Sequence, residues 1–162
     1  MRKICLAAAV ALVALIPSVA EAVPPPPSAG RPVSVIGAAE LDTAEPPTTF
    51  DFRVQATGDG RTGHGLIFLT HHDQTRISWA VARVDCVRRY GRAVVVTGVV
   101  GDAQDYAVAG PGDRVSLSVR DGAPDLIGFG FRDQVRRCRG PLPDRQVDRG
   151  AFRIGAAGAG SR

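Results

Sequence analysis

The 162-residue chain contains no asparagine, and its only lysine is Lys3. The first absence removes every N-linked glycosylation acceptor. The second makes arginine the cation of the chain, a bias of GC-rich genomes, so arginine abundance alone says little about an anionic partner. No serine sits in a Gly-x-Ser-x-Gly elbow, and no phosphate-cradling glycine loop leads into a helix. These two gaps remove the hydrolase and nucleotide-binding motifs. No apolar run reaches the roughly 20 residues of a spanning helix. The longest, residues 4–16, has thirteen.

That short run follows Arg2 and Lys3, is broken by Pro17 and leads to Ala20-Glu21-Ala22. Residues 1–22 therefore read as a secretory signal peptide, with cleavage expected after Ala22 and, second, after Ala20. Residues 23–30 hold Pro24, Pro25, Pro26 and Pro27, an extended spacer that cannot enter a sheet interior. One domain is expected over residues 31–154, with enough chain for a real core, and a flexible tail over residues 155–162. The expectation is a secreted, extracellular, monomeric protein without a membrane anchor. Losing Arg2, Lys3 and Glu21 leaves 18 basic and 15 acidic residues, a net charge of +3.

Cys5 leaves with the leader. Cys86 and Cys138, 52 positions apart, are then the only cysteines in an oxidising compartment, and a disulfide between them is expected. Closing a loop of that length stabilises a fold by about 4 kcal/mol on the chain-entropy argument.

Apolar residues recur at every second position. Phe50, Phe52, Val54 and Ala56 alternate with Asp51, Arg53 and Gln55, and Val115, Leu117 and Val119 alternate with Ser116 and Ser118. Eight strands are predicted, over residues 32–41, 48–58, 63–71, 75–88, 92–100, 114–121, 126–132 and 150–155, with a short helical turn near residues 132–137. The fold class is all-β. A single antiparallel eight-stranded meander closing into a barrel is preferred over a two-sheet sandwich, because closure removes the sheet edges.

The order of elements resembles small secreted all-β proteins of actinobacteria, a group that supplies no activity to carry over. The resemblance lies in the Phe50-x-Phe52 strand, the corner over residues 69–73, the strand ending at Cys86, the run Gly91-Arg92-Ala93-Val94-Val95-Val96-x-Gly98, and Asp121-Gly122-x-Pro124-Asp125. It covers residues 34–131 and returns near residues 150–154. Arg88-Arg89-Tyr90 departs from it, standing where a smoother apolar segment is expected.

Four groups of residues remain as candidate sites. His71 and His72 point to opposite faces of a strand and cannot grip one ion together, so Asp73 reads as a turn former and no metal or cofactor is expected. Asp85, Asp121 and Asp125 could face one another across a barrel mouth, although Asp121 and Asp125 read more simply as turn formers. Phe50, Phe52, Phe68, Trp79 and Phe129 are candidates to line a small apolar ligand site inside the barrel, with Ile77, Trp79 and Val81 forming an inward stripe. Arg132, Arg136, Arg137 and Arg139 form an arginine-rich stretch suited to an anionic envelope component. Nucleic acid is not expected there, since no aromatic residue lies among them to stack bases. The expected function is a secreted non-enzymatic binding module for a small apolar ligand. The alternative is a structural or cell-surface interaction protein using the arginine-rich loop. No catalytic residue is predicted.

Overall fold

The computed structural model describes residues 31–44 and 47–157. The expected signal peptide and spacer lie outside the described residues, as do residues 158–162 of the expected tail. The chain forms one antiparallel sheet of nine strands: β1 (Val33–Ala44), β2 (Pro47–Gly58), β3 (Gly63–His72), β4 (Ile77–Tyr90), β5 (Ala93–Gln104), β6 (Arg114–Arg120), β7 (Leu126–Phe131), β8 (Arg145–Gln146) and β9 (Arg149–Ala156). A 3₁₀ turn (Arg132–Gln134) follows β7, inside the predicted helical turn.

The all-β class and the meander stand. Eight of the nine strands are those read from alternation, and the ninth, β8, is only two residues long. Spatial order runs β8-β7-β6-β5-β4-β3-β2-β1-β9, so β9 returns to pair with β1. The sheet is curled but open, a half-barrel with a seam between β7–β8 and β9. The last strand, β9, runs through Gly155 and Ala156, which pair with Ser34 and Val33, so the sheet extends past residue 154.

The seam is bridged by side chains instead of a ladder. Asp125 Oδ2 accepts the Phe152 N–H at 2.7 Å and Asp121 Oδ2 accepts the Ile154 N–H at 3.2 Å. Both carboxylates belong to the β6–β7 turn, and they satisfy donors that β9 turns away from β1. An exposed edge would otherwise invite pairing with another chain.

Inside the curl, Val35, Phe52, Val54, Ile67, Leu69, Leu117 and Ile127 are buried, with Ala80, Ala82, Val94 and Val96 against them. Large residues oppose small ones: Leu69 faces Ala80, and Ile67 faces Ala82. This pairing overturns the expected inward stripe of β4. Directly opposed residues share a face, so Ile67 and Leu69 bring Ala82 and Ala80 inward, and Ile77, Trp79 and Val81 turn outward. On β2 the expected face holds, with Phe52 and Val54 buried and Phe50 packed at its end.

Residues 93–98 of β5 are buried on both faces. Val94, Val96 and Val100 face the core, while Val95 and Thr97 lie beneath residues 135–143, which cross the outside of β4 to β7 as a strap. The strap is tied by the Cys86–Cys138 disulfide, by Tyr90 Oη–H donating to the Cys138 carbonyl at 2.8 Å and by Ser118 Oγ–H donating to the Pro141 carbonyl. Gly140 lies directly on Ser116, where a Cβ would run into the serine hydroxyl, and Gly128 meets the Leu142 carbonyl in the same way. Small residues on the outer face of β6 and β7 thus let the strap lie flat.

Candidate functional site

The histidine corner is resolved by strand parity. Asp73 N–H donates to the Arg76 carbonyl at 3.0 Å, and Asp73 Oδ1 accepts the Thr75 N–H at 2.8 Å and the Thr75 hydroxyl at 3.0 Å. The two Thr75 bonds, led by the N–H, hold the Asp73 carboxyl below its usual range. His71 turns to the concave side and stacks on Phe50, ring centres 4.5 Å apart. His72 turns outward, with Nε2 3.1 Å from Asp51 Oδ2, an oxygen that also accepts the Thr70 hydroxyl. The two imidazoles therefore diverge. Among the described residues no three His, Cys, Asp or Glu side chains are grouped to hold a metal.

The three candidate carboxylates do not converge either. Asp85 occupies a bulge in β4, opposite no single partner on β5, and it accepts the Thr97 hydroxyl at 2.7 Å and the Arg114 guanidinium at 2.7 Å. Thr97 in turn accepts the Cys138 N–H at 3.1 Å, so Asp85 serves the anchor of the strap. Asp121 and Asp125 belong to the seam.

The five aromatics proposed to line one apolar site divide into two groups. Phe50, Phe52 and Phe129 meet on the concave side, with Phe52 and Phe129 centres 4.9 Å apart and Phe50 and Phe129 centres 6.2 Å apart. Phe131 and the ring of Tyr106 continue this packing, and Arg145 lies 5.2 Å over Phe129. The Tyr106 hydroxyl is buried with no partner among the described residues, and burial raises its pKa. Phe68 and Trp79 are on the convex side, with centres 6.5 Å apart and planes 20° apart.

The convex face of β3 and β4 was missed by the sequence reading. Register places Leu66 across from Arg83, Phe68 across from Val81, Thr70 across from Trp79 and His72 across from Ile77. Leu66 and Ile77 are 51% and 59% exposed, while Phe68, Trp79 and Val81 are half-buried. On the flanking strands stand Arg53 and Asp51 of β2, and Asp102 and Gln104 of β5. Trp79 Nε1–H donates to Gln104 Oε1 at 3.2 Å, which fixes the edge of the indole. The available signal was the two-sided apolar pattern of β4, in which Ser78, Ala80 and Ala82 alternate with Ile77, Trp79 and Val81.

Of the arginine-rich stretch, Arg132 pairs with Asp113 at 2.9 Å, and Arg137 reaches the Asp85 carbonyl at 3.5 Å. Arg136 and Arg139 exchange backbone hydrogen bonds around the exposed Arg137 and the buried Cys138. No family model, curated protein or solved structure matches the chain.

Proposed function

We propose that the protein is a non-enzymatic binding module that docks a protein partner on the convex face of β3 and β4, outside the cytoplasm. The observation that carries this reading is the patch of Leu66, Phe68, Ile77, Trp79 and Val81, bordered by Arg53, Arg83, Asp51 and Asp102. An apolar, aromatic centre with a rim of both charge signs is the anatomy of a protein interface. The concave side offers less, since its aromatics are packed against the core residues Leu117 and Leu69. The Cys86–Cys138 bond suits an oxidising compartment. Among the described residues no helix is long and apolar enough to cross a membrane.

A photo-crosslinker at Ile77, used on the extracellular fraction of the native host, is expected to give a protein adduct that excess wild-type chain competes away. Trp79→Ala should compete at least about 30-fold less well, the loss expected of an interface hot spot. Equal competition by Trp79→Ala would overturn the reading. An adduct of twice the chain's own mass would do so as well, by assigning the face to self-association.

A further inference from the structure

The end of the half-barrel that carries the β2–β3, β4–β5 and β6–β7 turns holds Arg31, Arg61, Arg88, Arg89, Arg92 and Arg120 against Asp59, Asp121 and Asp125. Genome bias accounts for the number of arginines in the chain but not for their gathering at one end. All three aspartates are engaged by backbone donors. Asp59 Oδ1 accepts the Arg61 and Thr62 N–H groups at 2.9 and 2.8 Å, Asp125 Oδ1 accepts the Gly122 N–H at 2.8 Å, and the remaining bonds of Asp121 and Asp125 are those of the seam. Among the described residues none of the six arginines has an ion pair. At the opposite end Arg132 and Arg149 are paired with Asp113, Glu40 and Asp42.

Four of these arginines, Arg31, Arg61, Arg88 and Arg89, line one cleft of about 650 Å³, with Asp59 as its single carboxylate. Its walls are set before any ligand arrives. Gly60 N–H donates to the Val87 carbonyl at 2.9 Å and Val87 N–H reaches the Thr62 carbonyl at 3.5 Å, pinning the β2–β3 turn to the end of β4. Arg88 lies 5.1 Å over the Tyr90 ring, which limits its freedom. Gly60 and Gly91, both at positive φ, bring bare backbone to the rim.

We infer that this cleft binds a phosphate or sulfate ester carried on a larger molecule. Guanidinium forks match the oxygens of a tetrahedral oxyanion in pairs and remain charged at every physiological pH. Four guanidiniums against one committed carboxylate leave an excess of three positive charges, and the volume exceeds that of a free phosphate several-fold. This site is at the turn end of the sheet and stands apart from the proposed partner face.

The test is calorimetric titration of the purified chain at low salt with inorganic phosphate, a sugar phosphate, a sulfated disaccharide and, as a carboxylate control, glucuronate. One ester is expected to bind one to one with a dissociation constant on the order of 1 mM or tighter, and more weakly as salt rises. The joint variant Arg61→Ala, Arg88→Ala should weaken it at least about tenfold, while Arg76→Ala, at the other end, should leave it unchanged. Preference between the two esters identifies the source, and either preference supports the site. No saturation by about 20 mM ester, tighter binding of inorganic phosphate or glucuronate, or equal weakening by Arg76→Ala would overturn it.

Discussion

At Trp79 the chain places its one indole on the solvent side of β4, while Ala80 and Ala82 take the interior opposite Leu69 and Ile67. The volume inside is already filled by the larger residues of β2, β3 and β6, and small side chains are what β4 can contribute there. Phe52, 1% exposed, is therefore the aromatic whose loss would open a cavity. Phe52→Ala should cost about 3 to 5 kcal/mol, and Trp79→Ala only about 1 to 2 kcal/mol, since the latter leaves no enclosed void. Denaturant unfolding of the two variants checks the order, and a reversal would place the indole in the core. The face of β2 was legible because its alternate residues are charged or polar. That of β4 was not, because both faces are apolar and a bulge at Asp85 changes the parity before Cys86.

The strap is the element that sequence periodicity could not reach. Its cysteine pair was legible from compartment and count, whereas its course over β4 to β7 was not, since residues 135–143 carry no period. One signal lay on the strands beneath. Ser116 and Ser118 on β6 stand opposite Gly130 and Gly128 on β7, a stretch of outer face that carries no large side chain. Such a face has something lying on it. Replacing both Cys86 and Cys138 with Ser should lower stability by about 4 kcal/mol, from the loop of 52 residues that the bond closes. Hydrogen exchange should then quicken at Cys138→Ser and Arg139 first, with β1 to β3 still protected. Uniform loss of protection would show that the strap is not a separable layer.

Across the whole molecule, many carboxylates act as turn and edge fasteners. Thr62 and Arg61 N–H groups lower the pKa of Asp59, the Thr75 N–H that of Asp73, the Gly110 N–H that of Asp113, and the Thr49 hydroxyl followed by Arg149 that of Asp42. Each folded value lies below the ordinary 3.8, so the unfolded chain takes up protons first as the solution is acidified. Their contribution is present above that ordinary value and is lost as pH falls through the lower folded ones. Unfolding free energy measured from neutral pH downward should hold level and then decline through the carboxylate range. Asp59→Asn should shallow that decline, and an unchanged slope would remove Asp59 from the account.

The pairing of β1 with β9 also sets an order in time. Eight residues of β1, from Val33 to Glu40, find their second neighbour only in residues 149–156. At about 5 to 20 residues per second, synthesis reaches that partner roughly 5 to 20 seconds after β1 has been made. Throughout that interval the first strand of the sheet has one side without a mate. The arrival of residues 149–156, more than any earlier hairpin, is then the event that protects the nascent protein from joining its neighbours.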